Sequence, residues 1–127
     1  MYACMSDICA ASLPPRGLKL RPVPFVAKTE LADIREFHQG KDGLIYLVGV
    51  VSLKAASQGR LLYGADGPVK VWVNRKAAGC VPDATNPARI AEYSCDVKWK
   101  KGRNELIFAL NTNHGKAWGV LARVSRK

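Results

Sequence analysis

The sequence predicts an all-β fold, an antiparallel sandwich or barrel of about eight short strands. Two patterns and one bound carry that expectation. From residue 44 onward the apolar residues recur with a period of two rather than 3.6. The alternating stretches are separated by short polar turns rich in Gly, Asn, Asp and Ser. The chain has 127 residues, enough for one domain with a real core and too few for two.

Leu44–Lys54 is apolar on both faces and reads as a central strand covered on each side. Ser57-Gln58-Gly59-Arg60 turns it into a strand over Arg60–Ala65, and Ala65-Asp66-Gly67-Pro68 turns again into Val69–Asn74. Asp66 is expected to accept bonds from the amides of its own turn. Lys76–Gly79 pairs back after Asn74-Arg75. Residues 80–88, CVPDATNPA, are dense in turn formers and form the longest irregular loop. Glu92–Trp99 then alternates, with Tyr93, Cys95, Val97 and Trp99 on one face. Lys101-Gly102-Arg103 reads as a hairpin turn into Asn104–Asn111, where Leu106, Phe108 and Leu110 are in phase. Thr112–Lys116 is a polar loop, and Ala117–Val124 closes the pattern with Trp118, Val120, Ala122 and Val124 in phase.

Ahead of residue 44 the pattern is thinner. Leu18 and Leu20 alternate before Pro22, and Leu31, Ile34 and Phe37 are read as part of a strand. Residues 1–17 are expected to be a loosely held leader, and residues 18–127 a single sandwich domain. The opening MYACMSDICAASLPP lacks a basic start and is interrupted by Asp7, so it does not read as a secretion signal. No apolar run approaches the length of a membrane span, so no membrane partner is expected.

Net charge is +10, from 20 Lys+Arg against 10 Asp+Glu, which favours anionic partners. The basic residues are spread along the chain, with mild clusters at Lys98–Arg103 and Arg123–Lys127. Cys4, Cys9, Cys80 and Cys95 have no zinc-ligand spacing. Cys80 and Cys95 flank one loop and are the pair expected to bridge, with free buried thiols the equal alternative.

The order of three segments resembles a known family. "LLYGADGPVKVWVNRK", "VKWKKGRNELIFAL" and "KAWGVLARV", behind an apolar strand, are similar to the galactose-binding-like β-sandwich. That family's strand-ending Asn-Gly-Lys, its Lys/Pro-Gly-x-Asn turn and its Trp-Gly strand opening correspond to Asn74-Arg75-Lys76, Lys101–Asn104 and Trp118-Gly119. The match spans residues 44–124. One departure is Arg75, which stands where the family has glycine and where a primed turn needs positive φ.

The resemblance implies a jelly-roll sandwich of the kind found as accessory carbohydrate-binding modules of large secreted glycosidases. It further implies an extracellular or periplasmic setting within a larger protein and a linked or partner glycoside hydrolase. No cofactor is expected apart from a structural calcium ion, which the family often carries. Asp66 and Asp83 are the loop carboxylates that would be considered for it, with no ligand set assignable.

The chemistry of the chain points away from catalysis. Its carboxylates form no recognisable acid–base pair, and serine elbows, phosphate-cradling glycine loops and His-rich metal motifs are absent. A binding surface is the alternative. Trp72 is out of phase with Val69, Val71 and Val73 and shares its face with Lys70 and Asn74. It is either a platform for a pyranose ring or covered by the segment around Pro22–Phe25; large aromatics are ordinarily buried. Trp99 and Trp118 are both assigned to the core. Two loops complete the candidate site: Asn86 with Arg89, and Asn113, His114 and Lys116, provided that both project from one end of the sandwich.

The leading expectation is a non-catalytic module binding a polysaccharide or oligosaccharide, the basic surface permitting an anionic one. The alternative is a structural or protein-interaction sandwich with no glycan of its own. Nucleic acid is disfavoured, because the aromatic-interleaved motifs of single-strand binders are missing.

Overall fold

The computed structural model describes Ile8 and residues 31–35, 39–84, 87–89 and 91–126. Eight strands lie within these residues: β1 (Leu31–Asp33), β2 (Leu44–Leu53), β3 (Ser57–Ala65), β4 (Val69–Val73), β5 (Lys76–Val81), β6 (Tyr93–Trp99), β7 (Gly102–Asn111) and β8 (Gly119–Arg126). They form two four-stranded antiparallel sheets, ordered β1-β8-β3-β6 and β2-β7-β4-β5. The protein is an all-β sandwich, as the two-residue period requires. Leu18, Leu20 and Phe37 lie outside the described residues.

The inner faces of the two sheets make the core. Val69, Val71 and Val73 of β4 meet Leu61, Tyr63 and Ala65 of β3, with Leu106, Phe108 and Leu110 of β7 beside them. Each fully buried aliphatic or aromatic side chain contributes about 1.5–3 kcal/mol, which makes alternation the main determinant of register. Val97 and Trp99 are buried in the same core, as their phase requires. Tyr63 is fully enclosed, and burial pushes its phenol up to about 12, so it stays neutral.

One connection read as a hairpin differs from the sequence reading. β2 and β7 belong to one sheet and β3 and β6 to the other, so the links β2–β3, β3–β4 and β6–β7 cross between layers. Lys101-Gly102-Arg103 is therefore an arch between sheets rather than a hairpin. Turn residues report that the chain reverses; they do not report whether it returns to the same sheet. Among the described residues the one tight hairpin between consecutive strands is β4–β5, where Asn74 and Arg75 both take positive φ, 49° and 69°. This is the primed geometry of two-residue loops, with arginine held in the conformation that glycine adopts more readily.

β2 is an edge strand rather than a central one. Ile45, Leu47, Val51 and Leu53 pack on the core, while Val48 (64 % exposed) and Val50 face outward into solvent. Apolar residues on both faces of a strand show that it can be covered twice; they cannot supply the second cover.

The cysteine expectation is also corrected. Cys80 is disulfide-bonded and Cys95 is free, so they do not bridge each other. Cys95 sits half-buried in β6, where burial pushes its thiol up. Loop-flanking position alone ignored the layers: β5 and β6 lie in different sheets.

Candidate functional site

Strand direction collects four connections at one end of the sandwich. The segments leading into β2, from β3 to β4, from β5 to β6 and from β7 to β8 all emerge there, as the registers Leu44↔Asn111, Val69↔Val81, Val69↔Leu110, Tyr63↔Tyr93 and Ala65↔Val120 require. The condition placed on the two candidate loops is thus met. Arg89 is exposed, and its carbonyl packs directly over Gly64, two residues before Asp66. Asn86 lies outside the described residues.

The Asn111–Lys116 loop is held tightly. Asn113 and His114 have positive φ (52° and 58°), as does Gly115 (78°). A Cβ at position 115 would collide with the Gly40 carbonyl, so glycine is needed for contact as well as for conformation. The Thr112 hydroxyl donates to the Lys41 carbonyl at 2.7 Å, and the Thr112 N–H donates to the Gly43 carbonyl at 2.9 Å. Asn113 donates from its backbone N–H to the Asn111 side-chain oxygen at 2.8 Å and from its amide side chain to the Asp66 carbonyl at 3.4 Å. His114 Nδ1 lies 3.5 Å from the Asp42 carboxylate on the exposed rim.

Asp66 is 1 % exposed, and it organises this end. Its Oδ2 accepts the Trp118 N–H at 2.7 Å and its Oδ1 the Gly119 N–H at 3.2 Å. These are partners 52 and 53 residues away, not the amides of its own turn. A buried carboxylate accepting two backbone amides, one of them buried, is a strong anchor, and it draws the start of β8 onto the β3–β4 connection.

The consequence falls on Trp118. It is 49 % exposed and is not a core residue. Its parity matches Val120, but it lies before β8 begins, and Gly119 at φ 157° redirects the chain where the Ala32 carbonyl approaches too closely for a Cβ. The guanidinium of Arg35 lies over the indole, 3.8 Å from its centroid. Arg35 is itself gripped by Asp33, whose carboxylate accepts from Nε at 3.0 Å and from Nη2, and also accepts the Arg35 backbone N–H at 3.0 Å. That hydrogen-bonded ion pair raises the arginine's pKa further above its already high value, so the cation over the ring persists at every working pH. Arg35, Asp33 and Trp118 were missed by the sequence reading. The Trp-Gly pair carried a signal for the place, but nothing local told exposure from burial.

Trp72 has the opposite fate. It is 4 % exposed, packed with Ile8, Ile107 and Ala109 and flanked by Tyr46 and Cys80. The ring is covered and offers no open platform in this chain. The cover that is described is Ile8, in the stretch expected to be a loose leader; Pro22–Phe25 lie outside the described residues. The Lys70 ammonium stands 5.2 Å from the centroid of the Trp72 ring. Asn74 is engaged in fold architecture at the other end of the molecule: its side chain donates to Asn104 at 3.0 Å and accepts the Glu105 N–H at 2.9 Å. The structure therefore places Asn74 at the far end from the loop residues and covers Trp72, while Asn113, His114, Lys116, Trp118 and Arg35 lie at one end.

Among the described residues no group of three or more His, Cys, Asp or Glu side chains is placed to hold a metal ion. Both oxygens of Asp66 are already taken by amides, and Asp83 is exposed.

No family model matches the sequence, and no curated protein matches it. Solved structures do share its architecture. A selenomethionine-labelled β-glucosidase from Kluyveromyces marxianus aligns over 77 % of this chain with a TM-score of 0.56 at 12 % identity. The same enzyme in complex with glucose aligns over 66 % with a TM-score of 0.47, also at 12 % identity. What is shared is the fold. The chain spans 13 % and 10 % of the lengths of those two chains.

Proposed function

We propose that this protein is a non-catalytic carbohydrate-binding module whose sugar site lies at the Trp118 end of the sandwich. The observation that carries the reading is the half-exposed Trp118 ring, fixed from beneath by the Asp66 anchor and oriented by the Arg35–Asp33 pair. A half-exposed indole suits the C–H-rich face of a pyranose, and surrounding amides and charges suit its hydroxyls. Asn113, His114 and Lys116 stand on the adjoining loop as hydroxyl partners, with Arg89 at the same end. The fold shared with part of a β-glucosidase is in keeping with a sugar-related role. A galactose-binding-like membership, and a place beside a linked glycoside hydrolase, belong to the same proposal. The engaged state of Asp33 and Asp66 supports a binding role rather than an enzymatic one, since neither carboxylate is poised to exchange a proton with a substrate. The Cys80 disulfide supports an extracellular or periplasmic setting. No helix among the described residues is long and apolar enough to cross a membrane.

The test is a screen of neutral and acidic oligosaccharides followed by titration calorimetry on any ligand found. Trp118→Ala is expected to weaken binding about tenfold or more, the equivalent of one lost stacking contact. A module that binds no glycan, or whose affinity ignores Trp118, overturns the reading.

A second reading has its own observation. The outward side chains of β2, Leu44, Val48 and Val50, leave an apolar edge beside the Trp72 patch. A structural domain packed against the rest of a longer enzyme chain would cover it, and the absence of any glycan ligand would favour this alternative.

A further inference from the structure

The end opposite Trp118 is chemically unlike it. Lys54 opens the β2–β3 link, Arg75 lies in the β4–β5 hairpin turn with Lys76 beginning β5, and Lys100 and Lys101 lie on the β6–β7 arch with Arg103 at the start of β7. All six are exposed. In the linear sequence these residues are scattered over some fifty positions; the fold draws them to one end. The registers Ser52↔Arg103, Val73↔Lys76 and Ser57↔Trp99 fix that placement.

The turns are also tied to one another. Asn104, wholly buried, accepts the Lys100 N–H at 3.0 Å and the Asn74 side-chain N–H at 3.0 Å, and donates to the Lys100 and Gly102 carbonyls. The carboxylate set among the six cations is Glu105, 3.4 Å from Arg75. The Trp118 end, by contrast, interleaves Asp33, Asp42, Asp66 and Asp83 with its cations. Holding several like charges on a rigid frame stores repulsion that a polyanion relieves, with release of its counterions.

We propose that this basic end is a second binding surface, specific for an acidic polysaccharide bearing carboxylate or sulfate groups, and independent of the Trp118 site. Two observations select a glycan over nucleic acid. The six cations belong to turns that carry no tryptophan, tyrosine or phenylalanine on which bases could stack. The Cys80 disulfide is in keeping with the extracellular or periplasmic setting proposed above rather than with a reducing compartment. The proposal shares the carbohydrate class of the function proposed above but not its site, so loss of one leaves the other standing.

Binding of dextran sulfate and polygalacturonate, with neutral dextran and single-stranded DNA as comparators, tests it across a salt series. The triple variant Lys100→Ala/Lys101→Ala/Arg103→Ala is expected to bind the acidic polymers at least about tenfold more weakly and to lower the slope of log affinity against log salt by about two to three. Lys54→Ala/Lys76→Ala provides a second route should the triple variant not fold. The proposal is overturned if variants at the basic end bind as the parent does. It is equally overturned if Lys41→Ala/Arg89→Ala at the other end gives the same loss, or if single-stranded DNA binds more tightly than the acidic glycans at matched salt.

Discussion

Trp72 and Trp118 are the same side chain in two regions that treat it oppositely. Trp72 stands on the outer face of a regular strand and is covered by Ile8, Ile107 and Ala109. Trp118 stands one residue before a strand begins and is held half in solvent by a carboxylate behind it and a guanidinium over it. Position on a sheet face says which side a ring occupies, and only the next layer says whether the ring is wet. Where the ladder stops, side-chain direction is set by hydrogen bonds rather than by the pleat.

The largest expected effect separates the two rings directly. Trp72→Ala removes a buried aromatic and is expected to destabilise the protein by about 3–5 kcal/mol. Trp118→Ala, losing a half-exposed ring and its cation contact, is expected to cost at most about 1 kcal/mol. Denaturant midpoints of the two variants decide the matter; equal losses would mean that the exposed ring is structural after all.

Next in size is the anchor behind Trp118. Asp66→Ala leaves two amides unpaired, one of them buried, and is expected to cost about 2–3 kcal/mol. It is also expected to speed hydrogen exchange at the Trp118 and Gly119 amides while those of β4 stay protected. Uniform acceleration through β4 would show that Asp66 supports the whole sandwich rather than this end.

The smallest effect lies at the opposite end. Arg75→Gly removes a side chain from a positive-φ position and is expected to stabilise by about 0.5–1 kcal/mol, since the surface pair with Glu105 is worth little. A loss of stability in thermal unfolding would instead assign Arg75 a packing role.

Much of the fold was legible in the chain. The strands from β2 to β8 fall close to where alternation placed them, and Trp99, Val97 and the three valines of β4 point inward as their phase demands. Asn74, Asn104 and Gly102 marked turns correctly, although two of those residues serve an arch between sheets. The candidate site was legible only in part. Asn113, His114 and Lys116 lie at the Trp118 end, and Arg89 shares it. Arg35 and Asp33 escaped notice because an ion pair two residues apart looks ordinary in sequence. It gains meaning only from the distant ring it covers.

Local covalent chemistry and side-chain period were enough to determine that this chain makes β-strands, the approximate span of those from β2 to β8, and which side chains within them turn inward. Those properties depend on a residue and its near neighbours. The sheet to which each strand belongs, the exposure of Trp118, the covering of Trp72, the solitary Cys95 and the gathering of cations at one end were decided by tertiary structure alone. Each depends on what is placed opposite by residues tens of positions away, and no short window of sequence contains that information.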